Sequence, residues 1–223
     1  MQIKLLKRKN PPKTKEELLI YNMRLNIYKI IEKTKAEGPG TRFCIWVQGC
    51  SKHCKGCFAK STWAHVDNII IQTSDIIREI KNTQGIEGIT FLGGEPFEQA
   101  AALADIAKHI KPLGLSIVTF TGLNYEDLKQ STDKNIQDLL AHTDLLIDGG
   151  FEEDKFDLSR AWVGSSNQRY IFLTNRYSID DIKKSRNKIE IRIDKNGFAE
   201  MNGMADFYKL KKDFQNTNRM IGV

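Results

Sequence analysis

Phe43-Cys44-Ile45-Trp46-Val47-Gln48-Gly49-Cys50-Ser51-Lys52-His53-Cys54-Lys55-Gly56-Cys57 runs an alternating apolar strand directly into a loop with three closely spaced cysteines. Phe43, Ile45 and Val47 share one face and Cys44 and Trp46 the other, the period of two that a sheet imposes. Gly38-Pro39-Gly40 breaks the chain ahead of this strand, and Leu25, Ile27 and Ile31 predict another strand before the break.

Beyond residue 69 strands and helices alternate. Thr73 or Ser74 is expected to cap a helix carrying Ile76, Ile77 and Ile80. Residues 88–92 read as a short buried strand ending in Gly93-Gly94-Glu95-Pro96. A helix with Leu103, Ile106, Ala107 and Ile110 leads to a strand over 115–120, and a helical stretch around Ile136, Leu139 and Leu140 leads to one over 144–148. A strand over 170–173, a helix near 179–186 and a strand over 189–193 follow. Asp194-Lys195-Asn196-Gly197 then reads as a hairpin turn into 198–201. The expected fold class is α/β: a partial (β/α) barrel with a mostly parallel, curved sheet and its active site at the strand carboxyl ends. The cysteine loop, the Gly93-Gly94-Glu95-Pro96 turn, Thr121-Gly122 and Asp148-Gly149-Gly150 all fall at those ends.

The chain has 223 residues, 40% hydrophobic and 28% charged, with net charge +6. That length suits one large domain with appendages: a basic arm over 1–20, a core over 21–203 and a tail over 204–223. Lys4, Lys7, Arg8, Lys9, Lys13 and Lys15 precede any acid, but no aromatic residue is interleaved with them, so nucleic acid is not an expected partner. In the tail, Phe207, Leu210 and Phe214 are at helical spacing and read as a docking face. No apolar run approaches the roughly 20 residues of a membrane helix, and the start carries no signal-peptide core. A cytoplasmic protein without a membrane partner is expected.

The only cysteines are Cys44, Cys50, Cys54 and Cys57, all within 14 residues. In a reducing compartment such clustering reads as metal ligation rather than a disulfide scaffold. Cys50, Cys54 and Cys57 leave gaps of three and two residues, and three thiolates leave one iron of a four-iron cluster without a protein ligand. The competing ligand set is a Cys₃His zinc site on Cys50, His53, Cys54 and Cys57. Cys44 reads as a small buried side chain of its strand.

Glu37-Gly-Pro-Gly-Thr-Arg-Phe43, Trp46-Val-Gln-Gly-Cys50, the three-cysteine loop and Gly93-Gly94-Glu95-Pro96 together resemble the radical S-adenosylmethionine superfamily. Within it the chain is similar to the activating enzymes of glycyl-radical proteins, in particular those of anaerobic ribonucleoside-triphosphate reductase. Thr121-Gly-Leu-Asn-Tyr-Glu126, Asp144-Leu-Leu-Ile-Asp-Gly-Gly-Phe151 and Trp162-Val-Gly-Ser-Ser-Asn-Gln168 carry that likeness, which spans about 25–203. Asp148-Gly149-Gly150 lacks the lysine of activases of the pyruvate formate-lyase type.

The resemblance implies a [4Fe–4S] cluster on Cys50, Cys54 and Cys57, whose open iron chelates S-adenosyl-L-methionine. One electron from a flavodoxin- or ferredoxin-type donor would cleave the sulfonium to methionine and a 5′-deoxyadenosyl radical, which takes hydrogen from a glycine Cα of a glycyl-radical protein. It also implies cofactor contacts at Gly56, Phe58, Gly93, Gly94, Glu95, Thr121 and Asp148. A side chain at Gly94 would then block the approach of the methionine moiety. Asp148 has an alternative as a helix cap or turn acid. Ser165, Ser166, Asn167 and Gln168 fit a polar rim for an extended partner loop. Two other functions stay open: a radical enzyme modifying a ribosomally made peptide, and a zinc-binding module without catalysis.

Overall fold

The computed structural model describes residues 23–206, 209, 210 and 212. The basic arm and, in the tail, Phe207 and Phe214 lie outside the described residues. Strands β1 (Arg24–Thr34), β2 (Arg42–Val47), β3 (Ile69–Gln72), β4 (Gly88–Gly93), β5 (Ser116–Phe120), β6 (Leu145–Asp148) and β7 (Arg169–Phe172) form one sheet in the order β3-β1-β2-β4-β5-β6-β7. The central strands β2, β4, β5 and β6 are parallel. Antiparallel strands flank them, β1 and β3 on one side and β7 on the other.

Parallel neighbours need long crossovers, and helices supply them. α1 (Thr73–Asn82) precedes β4, α2 (Ala100–Ile110) joins β4 to β5, and α3 (Tyr125–Gln130) with α4 (Lys134–His142) joins β5 to β6. After β7, α5 (Ile179–Lys184) leads to β8 (Ile189–Ile193) and β9 (Ala199–Gly203), which pair with each other as a separate hairpin. Neither Thr73 nor Ser74 caps α1: Gln72 is the N-cap, with no side-chain bond. The Thr73 hydroxyl instead donates to Asp105 Oδ2 on α2 at 2.6 Å, tying the two helices together.

The pleat sorts the sheet's side chains to two faces. Phe43, Ile45, Ile89, Phe91 and Ile117 pack outward against Ile76, Leu103, Ile106 and Leu139 of the helices. Burying each such side chain contributes about 1.5–3 kcal/mol. Cys44, Trp46 and Leu92 pack with Tyr28 and Phe120 on the opposite face. Tyr28 of β1, Trp46 of β2, Leu92 of β4 and Phe120 of β5 line a single cavity, so the sheet curves around it as a partial barrel.

The pleat also turns Arg42, at the start of β2, onto the concave face, where it is fully buried. Its guanidinium donates to Thr90 Oγ1 (2.6 Å), Pro39 O (3.0 Å), Ser116 Oγ (3.0 Å) and Ser116 O (3.0 Å). Tyr177 OH (3.2 Å) and Ile89 O complete the set. No described carboxylate forms an ion pair with it; these hydrogen bonds stabilise the buried charge and join the starts of β2, β4 and β5. Arg42→Met would leave those acceptors buried and unbonded, at about 1–3 kcal/mol each. The expected loss is at least about 3 kcal/mol in urea unfolding of the metal-free protein. A loss below about 1 kcal/mol would contradict this role.

Candidate active site

The turn after β2 and the turn after β4 touch through their backbones. Gly49, with φ +99°, donates its N–H to Thr62 O at 2.7 Å and accepts from Glu95 N at 2.8 Å. Gly94 N donates to Val47 O at 2.9 Å, and a Cβ on Gly94 would lie 2.0 Å from Gly49 O. The glycine at 94 is therefore required by the neighbouring backbone. A side chain there, expected to block the methionine moiety, would first displace Gly49 and the adjoining Cys50.

The cysteine loop is held by its own turns. Cys50 N donates to Trp63 O at 3.0 Å, Cys57 N to Cys54 O at 3.1 Å, and Ala59 N to Cys57 Sγ at 3.4 Å. Ser51 N donates to Glu98 Oε1 at 2.7 Å, and Glu98 Oε2 lies 2.7 Å from His65 Nε2. Burial pushes the Glu98 carboxyl up, but these partners outweigh it and hold the group below the usual range. His53, at φ +46°, stacks on Trp63 at 4.9 Å between ring centres and does not line the cavity with the cysteines.

Cys50, Cys54 and Cys57 face a cavity of about 550 Å³, together with Phe58, Gly93, Gly94, Glu95 and Thr121. Cys50 is buried and its thiol is pushed up by desolvation. Cys44 is buried one pleat below Trp46, does not line the cavity, and is pushed up by burial. Phe58 packs against Phe151 at 5.4 Å between ring centres. The soft thiol set and the cofactor-sized space fit an iron–sulfur cluster with a small ligand beside it.

Glu95 is a buried carboxylate on the cavity wall. It accepts from Phe97 N (3.0 Å), Thr121 Oγ1 (2.7 Å) and Gly122 N (2.8 Å), and no cation pairs with it among the described residues. Burial raises its pKa. A cation arriving in the cavity would offset that desolvation.

Asp148 and Gly56 do not line the cavity. The Asp148 carboxylate accepts from Arg169 Nε (3.0 Å), Arg169 NH2 (2.5 Å) and the N–H of Tyr125 (2.8 Å), the first residue of α3, whose N-cap is Asn124. Gly56, at φ +77°, lies where a Cβ would meet Phe151 at 3.0 Å. The polar rim is also reassigned. Ser165 is buried with Oγ accepting from Glu152 N, Asn167 Nδ2 donates to Gly150 O, and Gln168 bonds Gly164 N and Gly149 O. These groups lock the loop after β6 in place, and of the four only Gln168 lines the cavity.

Sequence reasoning did not single out Glu37 or residues 198–204 as cavity residues. Glu37 is buried, accepts from Asn202 Nδ2 at 3.1 Å, and burial raises its pKa. Its signal was an acid inside the quoted Glu37-Gly-Pro-Gly turn; the hairpin gave none. Gly94→Ala is expected to lower thermal stability and iron incorporation together, by about 1–3 kcal/mol of overpacking. Full iron loading at unchanged melting temperature would show that the Gly49 contact tolerates a Cβ.

Three comparisons with known proteins bear on this site. The family of the 4Fe-4S single cluster domain matches residues 36–171. The anaerobic ribonucleoside-triphosphate reductase-activating protein of Pasteurella multocida is 33% identical over 139 residues, covering 59% of this chain and 87% of the relative. That of Enterobacteria phage T4 is 31% identical over 153 residues, covering 65% and 92%. Among solved structures, QueE from Escherichia coli aligns over 50% of this chain and 58% of its own at 16% identity, with a TM-score of 0.41. By the extent of the first two matches, the chain belongs to the 4Fe-4S single cluster domain family and, within it, to the anaerobic ribonucleoside-triphosphate reductase-activating proteins.

Proposed function

We propose that this chain is a radical S-adenosylmethionine enzyme that activates a glycyl-radical protein, with anaerobic ribonucleoside-triphosphate reductase as the class of partner. The observation that carries the reading is the convergence of Cys50, Cys54, Cys57 and the unpaired Glu95 carboxylate on one cavity. The three cysteines would hold a [4Fe–4S] cluster, and S-adenosyl-L-methionine would lie beside it. Bound there, they would supply one-electron reductive cleavage of the sulfonium to methionine and a 5′-deoxyadenosyl radical, for removal of a hydrogen atom from a glycine Cα of the partner.

The chain's own part is binding, orientation and exclusion of water. Glu95, fixed by three donors, presents a carboxylate suited to an ammonium group. The backbone of Gly93 and Gly94 borders the same space without side chains. Trp46, Leu92 and Phe120 form an apolar floor that keeps a reactive intermediate from solvent. The electron is proposed to come from a flavodoxin- or ferredoxin-type donor in the cytoplasm, where thiols remain reduced. The catalytic unit spans 21–203, and 1–20 and 204–223 are appendages.

Two experiments test the reading. Anaerobic reconstitution should give a cluster that Cys50→Ala, Cys54→Ala or Cys57→Ala abolishes, while Cys44→Ala retains full iron. Zinc bound in place of iron would support the non-catalytic module. The second mixes the reduced enzyme with S-adenosyl-L-methionine and the reductase, and follows electron paramagnetic resonance. A glycyl doublet on the reductase that grows with cofactor cleavage is expected. Cleavage without a protein radical would exclude the activase reading.

A further inference from the structure

The β8–β9 hairpin is amphipathic in the reverse sense from an ordinary surface hairpin. Its polar face is turned inward toward β1 and the segment after it. Glu200 pairs with Lys29 at 2.8 Å, Asn202 Nδ2 donates to Thr34 Oγ1 at 3.1 Å, and Glu190 Oε1 accepts from Lys35 N at 2.6 Å. The pleat therefore turns the other face outward. On it Ile191 is 46% and Met201 39% exposed, with Ile193 above 70%; Phe198, in the turn before β9, is also above 70%. An exposed apolar cluster of this kind marks a contact surface.

The hairpin also has an open edge beside the cavity. Met204 N donates to Lys188 O, and Asp194 N to Phe198 O. Bonded and non-bonded pairs alternate in an antiparallel ladder, so Glu190 with Asn202 and Arg192 with Glu200 are the bonded pairs. Ala199, Met201 and Gly203 then turn their N–H and C=O away from β8. Gly203 N–H already meets the Glu37 carboxylate, which places this edge on the cavity side. Residues 198–204 line the cavity and β8 contributes none of its lining. No described strand pairs with the Ala199 and Met201 edge.

We propose that this edge of β9 is the docking site for the partner's glycine-bearing loop, which adds to the hairpin as an extended strand; the inference rests on the activase reading above. Phe198 and Met201 are both exposed apolar residues and both line the cavity, so a segment entering the cavity passes over them. Four exposed apolar side chains are far fewer than the roughly 20–30 residues a side of a stable protein interface, which favours a loop over a second copy of this chain. Pairing through main-chain hydrogen bonds also suits a target glycine, which has no side chain to grip. The hairpin lies beyond the family match, which ends at residue 171.

The test uses the full-length reconstituted protein and a fluorescein-labelled peptide spanning the radical glycine of the reductase, read by anisotropy. Met201→Pro removes an outward N–H without breaking the β8 ladder, and Phe198→Ser removes a side chain that is 72% exposed. Each should weaken peptide binding roughly fivefold to tenfold, the worth of one hydrogen bond with its contacts. N-methylation of alternate peptide residues should abolish binding in one phase and spare it in the other. Equal binding by both variants, or equal effects of both methylation phases, would overturn the inference. A wild-type protein that radicalises the intact reductase but shows no hairpin-dependent affinity would overturn it and leave the activase standing. Absence of any glycyl radical on the reductase would bring down both.

Discussion

Gly49 and Gly94 meet with no room for a side chain between them: a Cβ on Gly94 would lie 2.0 Å from Gly49 O. Glu95 N–H bonds that same carbonyl at 2.8 Å, and Gly94 N–H bonds Val47 O at 2.9 Å. This backbone clasp joins the loop after β2 to the turn after β4 and sets the first cysteine beside the buried glutamate. The clasp thereby brings the first thiol and this buried carboxylate to the same cavity. Arg42 performs the complementary task at the far end, tying β2, β4 and β5 through neutral acceptors. Contacts at both ends of the strands therefore hold the sheet that lines the cavity.

The two acids at strand ends show how local partners divide roles. Asp148 is neutralised by Arg169 and used to start α3, so its charge is already committed. Glu95 has hydrogen-bond donors but no cation among the described residues, and burial raises its pKa. An arriving ammonium gains more at Glu95 than at Asp148, because only Glu95 still carries an uncompensated desolvation cost.

Much of this was legible in the sequence, for identifiable reasons. Phe43, Ile45 and Val47 alternate within a strand bounded by glycines, and that local pattern is sufficient to place β2. The cysteine spacing needed no tertiary information to suggest a cluster. What was hidden depends on distant partners. The reason for Gly94 lies in the Gly49 carbonyl, and the Thr73 hydroxyl is taken by Asp105 rather than by its own helix end. Ser165 and Asn167 look like a solvated rim by composition, yet they bond the loop after β6. Ile189, Ile191 and Ile193 alternate as a buried face would, but Lys29, Thr34 and Lys35 recruit the polar face instead. Alternation reveals two faces; the neighbours decide which one turns inward.

The most direct measurement of the central claim is iron-edge anomalous diffraction from anaerobic crystals of the reconstituted protein. The expected result is one compact iron site bounded by Cys50, Cys54 and Cys57, inside the cavity that Glu95 lines. Iron bound at Cys44, or a single zinc ion ligated by His53 with the loop cysteines, would contradict it.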